Sequence, residues 1–164
     1  MNVKNIMMLF LLALLSCDSV FAAPDEIYLF RHSEKSSGEN PSLTELGEKR
    51  AQSLISLFEK YNEVQLFSSN YKRTLQTIAP LEKYFKTKAE VYNASDLIAL
   101  QNTFLDLDGV VIVIGHSNTT PKLAELLSGD NVGPMHETDF TRYFLLNKNN
   151  ETHKYDVSDL TMNF

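Results

Sequence analysis

Residues 110–114 form an uninterrupted Val-Val-Ile-Val-Ile run, with Gly109 before it and Gly115 after it. A strand this apolar is typical of a sheet that is covered on both faces, as parallel sheets are. Less uniformly apolar runs at residues 27–31 and 64–67 alternate with segments of helical periodicity. This alternation predicts an α/β fold with three layers, in which a mostly parallel central sheet is flanked by helices.

The remaining elements follow from capping residues and periodicity. Thr44 is a plausible N-cap for a helix over residues 44–61, whose apolar side we expect to contain Leu46, Leu54, Ile55, Leu57 and Phe58. A second helix is predicted over 71–85, where Pro80 should break or kink it. The other predicted elements are an edge strand at 89–92, helices at 96–105 and 120–127, and a hairpin formed by 142–146 and 154–157.

Charge and cysteine content exclude several classes of protein. The 164 residues contain 15 Lys and Arg against 21 Asp and Glu, so the net charge of −6 has the wrong sign for binding a nucleic-acid backbone. The single cysteine, Cys17, excludes an intramolecular disulfide and a cysteine-built zinc site. The length predicts one domain, and the oligomeric state cannot be predicted from it.

Residues 1–22 resemble a secretory signal, with Lys4, an apolar core at 6–15 and a Val-Phe-Ala cleavage motif. As a helix the core is about 15 Å long, too short for a bilayer of roughly 30 Å, so no membrane span is predicted. We therefore expect a single domain at 23–164, located in a bacterial periplasm or secreted. The alternatives are a lipoprotein anchored through Cys17, since Leu-Leu-Ser-Cys resembles a lipobox, and an uncleaved anchor.

Four side chains of suitable chemistry lie at or after the predicted strand ends. Arg31 and His32 end the first strand, Arg73 falls in the opening turn of the helix after the second, and His116 follows the most apolar strand. Ligands of open α/β sheets bind beyond the carboxyl ends of the strands, so we expect these side chains to share one crevice. Arginine binds phosphoryl oxygens bidentately and histidine can act as a nucleophile, which indicates a small phosphorylated substrate.

Four segments in order then resemble the histidine phosphatase (phosphoglycerate mutase-like) superfamily, in particular its short bacterial members. They are Tyr-Leu-Phe-Arg-His-Ser-Glu-Lys at 28–35, Leu-Thr-Glu-Leu-Gly at 43–47, Ser-Ser-Asn-Tyr-Lys-Arg-Thr-Leu-Gln-Thr at 68–77 and Val-Ile-Gly-His-Ser-Asn-Thr at 113–119. The resemblance implies a phosphatase in which His32 forms a phosphohistidine and Arg31, Arg73 and His116 bind the phosphoryl group. It implies no metal and no organic cofactor.

This chain departs from the larger members of the family, whose proton donor for the leaving group lies in an insertion with a Gly-Trp-rich signature. This chain has no Trp. Asp96 is the nearest candidate by chain order, and its alternative role is the N-cap of the following helix. A donor elsewhere, or a substrate with a good leaving group such as a phosphoramidate or an anhydride, would also satisfy the chemistry.

Several alternatives remain open at this point. Ser117 either binds phosphate or caps a helix. Ser117 with Asp139 and His153 follows the chain order of a serine hydrolase, although the final Gly of its elbow motif is replaced by Thr119. A third reading is a weakly active or inactive phosphate-binding homologue that serves as a sensor or partner module. Arg31 paired with Glu34 would be an ordinary strand-end ion pair, and we expect Glu34, Lys35, His136 and His153 to be surface residues.

Overall fold

A computed structural model describes residues 23–163 of the chain. The predicted signal sequence and Cys17 lie outside these residues. No helix within 23–163 combines the length and the apolarity that crossing a bilayer would require.

Six strands form one sheet. They are β1 (Glu26–Arg31), β2 (Gln65–Ser69), β3 (Glu90–Tyr92), β4 (Val110–Gly115), β5 (Arg142–Asn149) and β6 (Lys154–Thr161), arranged in the order β3-β2-β4-β1-β5-β6. The first four strands pair in parallel, whereas β5 pairs antiparallel with β1 and with β6. The mostly parallel sheet, its central β4 and the edge position of β3 confirm the prediction, and the predicted hairpin is longer than expected.

Helices cover both faces of the sheet. They are α1 (Glu45–Ser53), α2 (Ile55–Phe58), α3 (Lys72–Phe85), α4 (Leu97–Thr103), a short 3₁₀ turn (Phe104–Asp106) and α5 (Thr119–Ser128). One core cluster includes Phe58, Ile78 and Leu81 from the α1–α3 side, and the other includes Leu100 and Leu123 from the α4–α5 side. These two apolar layers confirm the three-layer α/β class.

The predicted helix over 44–61 is wrong in three details: it is interrupted, it ends at Phe58, and Leu46 is not on its buried face. Thr44 does cap α1, since its side chain accepts from the Gly47 N–H at 3.1 Å, but the helix is interrupted at Leu54. The hydroxyl of Ser53 donates to the Arg50 carbonyl, which competes with regular helical bonding. Leu46 is 50% exposed because Gly47, Arg50 and Ala51 form the buried face of α1.

The prediction that Pro80 breaks its helix is wrong. The helix α3 runs continuously from Lys72 to Phe85, and Ile78 and Leu81 on either side of Pro80 are fully buried. This burial holds the segment helical even though Pro80 lacks the N–H of a regular helical bond. The helix predicted at 96–105 is shorter, ending at Thr103 before the 3₁₀ turn.

Candidate active site

The carboxyl ends of the parallel strands lie at one edge of the sheet. Arg31 of β1 pairs with Gly115 of β4, and Ser68 of β2 pairs with Ile114. Arg31, Ser69 and His116 therefore meet at this edge, as the rule for open α/β sheets predicts.

His32 directly follows β1 and is 2% exposed. Its main-chain N–H donates to the Gly115 carbonyl at 3.0 Å, which extends the β1–β4 pairing past the strand end. The ring Nδ1 lies 2.7 Å from the Ser33 carbonyl oxygen. Because a carbonyl can only accept, Nδ1 carries the proton and Nε2 keeps a free electron pair.

The environment of His32 keeps its ring neutral. Burial, together with the positive charges of Arg31 and Arg73, lowers the pKa of His32 to about 3. A neutral imidazole with a fixed tautomer and a free Nε2 has the protonation state that a nucleophile requires.

The loop that orients His32 is anchored from two helices. The Ser33 N–H donates to Thr77 Oγ1 of α3 at 3.0 Å. Glu34 accepts from Arg50 of α1, with Nε 2.9 Å from Oε2 and Nη2 2.7 Å from Oε1. The expectation of a solvated Glu34, or of a Glu34–Arg31 pair, is therefore wrong, because the Arg50 guanidinium forms a two-pronged ion pair with this carboxylate.

His116 is also buried, and a chain of hydrogen bonds fixes its tautomer. Arg73 Nη2 lies 3.3 Å from His116 Nδ1, and Ser69 Oγ lies 2.9 Å from Nε2. A guanidinium can only donate, so Nδ1 accepts and Nε2 carries the proton. Ser69 Oγ in turn donates to Thr74 Oγ1, and Thr74 Oγ1 donates to the Ser69 carbonyl.

The pKa of His116 falls to about 4, chiefly because the ring is buried and secondarily because of the positive charges of Arg73 and Arg31. The turn that carries the ring needs Gly115: a Cβ there would lie 2.9 Å from Thr119 Oγ1 and 3.0 Å from the Tyr92 hydroxyl. Strand β4 therefore delivers a neutral, firmly oriented histidine to the sheet edge.

Arg31 contributes a buried guanidinium. Its Nη1 donates to the carbonyls of His136 at 3.1 Å and Asp139 at 3.3 Å, and also to that of Glu137. Burial lowers the pKa of Arg31, although it stays charged at neutral pH. Its Nε is buried and has no hydrogen-bond partner among residues 23–163.

Arg73 is the second residue of α3, and its guanidinium lies over the Tyr71 ring at 4.5 Å from the centroid. Its Nε, like that of Arg31, is a buried donor without a partner in the described part of the chain. A buried donor left without a partner costs about 1–3 kcal/mol, a cost that a bound anion would remove.

These side chains line one cavity of about 310 Å³. His32 and His116 lie with their ring centroids 5.5 Å apart, and Arg31 and Arg73 contribute positive charge. The other residues that line the cavity are Lys35, Tyr71, Ala94, Ser95, Ser117, Asn118, Thr119 and Glu137. All four side chains predicted from the strand ends are thus brought together.

Asp96 is not among the residues that line this cavity. Its Oδ1 accepts from the Ala99 N–H at 3.0 Å, so the side chain caps α4, as the alternative interpretation holds. Ser117 does line the cavity, and its hydroxyl donates to Glu137 Oε1 at 3.2 Å.

The serine-hydrolase arrangement is not formed. His153 lies in the turn between β5 and β6 and lines a second cavity with Phe104, Leu127 and Tyr155. Asp139 accepts from the main-chain N–H groups of Thr141 and Arg142. The hydroxyl of Ser117 is therefore hydrogen-bonded to the Glu137 carboxylate, and His153 is not placed to act as its base.

Several residues of the site were not singled out from the sequence. Ser69, Thr74 and Thr77 orient the histidines and the loop after β1, and all three lie within the segment at 68–77 that carries the resemblance. Glu137 was missed because its loop has no periodicity and no motif. Lys35 is exposed, as expected, but it lines the cavity.

Within residues 23–163, no group of three or more His, Cys, Asp or Glu side chains is placed to hold a metal ion. The cationic side chains that line this cavity are those of Arg31, Arg73 and Lys35.

Comparison with known proteins finds one family model, the histidine phosphatase superfamily (branch 1), which matches residues 27–98. No curated protein sequence matches the chain. Among solved structures, a candidate phosphohistidine phosphatase SixA from Agrobacterium tumefaciens is similar with a TM-score of 0.60 and 16% identity, over 84% of this chain and 98% of that one.

Two mycobacterial structures are similar as well. Mycobacterial hydrolase 1 has a TM-score of 0.66 at 12% identity, over 85% of this chain and 99% of that one. The glucosyl-3-phosphoglycerate phosphatase Rv2419c in complex with VO3 has a TM-score of 0.62 at 12% identity, over 85% of this chain and all of that one. At these identities the similarity establishes a shared fold.

Proposed function

We propose that this chain, whose residues 27–98 match the model of the histidine phosphatase superfamily, is a phosphatase that hydrolyses a small phosphorylated substrate through a phosphohistidine on His32. The observation that carries the proposal is the state of His32: Nδ1 is held by the Ser33 carbonyl, and the neutral ring lines a cavity with the buried guanidinium group of Arg31 and the half-buried one of Arg73. A free imidazole nitrogen beside fixed positive charge suits attack on phosphorus.

In the first step, Nε2 of His32 attacks phosphorus and the bond from phosphorus to the leaving oxygen breaks. The guanidinium groups of Arg31 and Arg73 stabilise the charge on the phosphoryl oxygens, and their free Nε donors are suited to hydrogen-bond them. His116 acts on Arg73, because its Nδ1 accepts from Nη2 and holds the guanidinium in place.

In the second step, water attacks the phosphorus of phosphohistidine. The nitrogen–phosphorus bond breaks, its electron pair returns to Nε2, and phosphate is released. The hydrogen bond from Nδ1 to the Ser33 carbonyl persists through both steps and stabilises the positive charge that the ring carries while it is phosphorylated.

The test is a screen of the purified protein from residue 23 onwards against phosphomonoesters, phosphoramidates and phosphoanhydrides, with phosphate release as the readout. We expect turnover of at least one class, which is lost in His32→Ala. Phosphate binding without turnover on any class would favour the alternative of a sensor or partner module.

We further propose export, which the sequence pattern at 1–22 supports. Sequencing the amino terminus of the protein from its native host tests it. A terminus at Ala23 is expected, whereas lipid-modified Cys17 would establish the lipoprotein alternative, and an intact Met1 would contradict both.

A further inference from the structure

We propose that Glu137 is the general acid that protonates the leaving group, and the general base that later activates water. The inference rests on the proposed phosphatase function. The carboxyl group of Glu137 stands at the cavity that contains His32, and of the cavity-lining residues in the described part of the chain it is the one carboxylic acid.

The backbone that carries Glu137 is held in place from two strands. Arg31 of β1 donates to the carbonyls of His136, Glu137 and Asp139. Arg142 of β5 donates to the Val132 and Pro134 carbonyls at 2.6 Å each. The loop is thus built around the same guanidinium that faces the substrate, so the phosphoryl site and the carboxyl group keep a fixed relation.

The side chain of Glu137 is oriented by Ser117, whose hydroxyl donates to Oε1 at 3.2 Å. Ser117 follows His116 directly, so the contact ties the carboxyl group to the turn after β4. Accepting at Oε1 leaves Oε2 available to carry a proton.

With Glu137 in this role, every proton transferred in the two steps is accounted for. As His32 Nε2 forms its bond to phosphorus, the proton on Glu137 passes to the leaving oxygen, which departs as a neutral alcohol. The resulting carboxylate then takes a proton from the attacking water, and the hydroxide forms its bond to phosphorus as the bond to Nε2 breaks. Glu137 ends protonated, ready for the next turnover.

The contrast with Asp96 supports the assignment. The side chain of Asp96 caps α4 and does not line the cavity, whereas Glu137 lines the cavity and is exposed to solvent. A leaving group that extends from the phosphoryl site towards solvent would therefore pass Glu137.

The experiment compares kcat/KM for an alkyl phosphate and for para-nitrophenyl phosphate in wild type and Glu137→Gln. Because an alkoxide needs a proton and para-nitrophenolate does not, we expect a loss of roughly 100- to 10,000-fold on the alkyl phosphate and of only a few-fold on the aryl phosphate. The matched control is Asp130→Asn, an exposed carboxylate on the same loop that does not line the cavity, which should affect neither substrate.

Two further measurements make the outcome decisive. Inhibition by inorganic phosphate should be unchanged or stronger in Glu137→Gln, because the arginines remain and a negative charge is removed. Equal losses on both substrates, or a selective loss in Asp96→Asn in place of Glu137→Gln, would overturn the assignment while leaving the phosphatase function intact. Absence of wild-type turnover on phosphomonoesters, phosphoramidates and phosphoanhydrides alike, with no phosphoenzyme, would instead overturn the proposed function.

Discussion

Replacing Gly47 with Ala should destabilise the protein, although Gly-to-Ala changes within helices normally stabilise. A Cβ at Gly47 would lie 2.1 Å from the main-chain oxygen of Glu34 and 3.0 Å from its carbonyl carbon. Neither the backbone of Gly47 nor that of Glu34 can shift easily. Gly47 is in the first turn of α1, and the same Glu34 oxygen accepts a hydrogen bond from the Thr44 N–H at 2.9 Å.

The expected magnitude is a balance of opposing effects. The helical preference of Ala over Gly is worth about 1 kcal/mol. Against it, overpacking costs about 1–3 kcal/mol, and moving Glu34 weakens a main-chain hydrogen bond worth about 1 kcal/mol and strains the Glu34–Arg50 ion pair. We expect the free energy of unfolding to fall by about 1–3 kcal/mol. The kcat should fall too, because the displaced loop includes the Ser33 carbonyl that orients His32.

The assay is urea denaturation with a matched pair at Lys49, an exposed position two residues further along α1. There, Lys49→Ala should be more stable than Lys49→Gly by about 1 kcal/mol, the usual order. At position 47 the order should be reversed, with Gly more stable than Ala. The reasoning is refuted if Gly47→Ala raises the denaturation midpoint as an ordinary helical position would.

Three further predictions concern the cavity. Single Ala variants of Arg31, Arg73 and His116 should each lose about 2–4 kcal/mol of transition-state stabilisation, or roughly 30- to 1,000-fold in rate. Vanadate should inhibit the wild type. Rate losses below a few-fold in these variants would contradict a shared phosphoryl-binding pocket. Treatment with a chelator should leave the rate unchanged, which fails if activity disappears and a divalent cation restores it. The folded-state pKa of His32 is about 3, against an ordinary value near 6.5, so the unfolded state binds more protons than the folded state between these pH values. The free energy of unfolding should therefore be highest above about pH 6.5 and fall as the pH drops towards 3. The fall should be shallower in His32→Gln, and parallel profiles for the two proteins would contradict the prediction.

The residues at the strand ends could be predicted because the information is local. Apolar runs mark the strands, and parallel strands bring their carboxyl ends to one edge, so Arg31, His32, Arg73 and His116 could be grouped without knowing the packing. The family resemblance in these segments then gave His32 its expected role.

Contacts between distant parts of the chain could not be predicted in this way. Glu34 pairs with Arg50 of α1 rather than with nearby Arg31, because Arg31 is engaged by carbonyls more than one hundred residues later. The same long-range contact brings Glu137 to the cavity, and no periodicity in that loop indicates it. Leu46 is exposed because close packing of Gly47 on Glu34 sets the rotation of α1, a steric effect that hydrophobicity does not encode.

The most direct test of the mechanism is rapid quenching of the protein during turnover of a substrate with a radiolabelled phosphoryl group. The account predicts a label on the wild-type protein that is lost in acid and kept in base, as expected of a phosphohistidine, and that maps to His32. In His32→Ala, whose folded state is checked by a cooperative thermal denaturation transition, both the label and the turnover should be absent. Wild-type-like turnover in His32→Ala, or a label at another residue, would contradict the central claim.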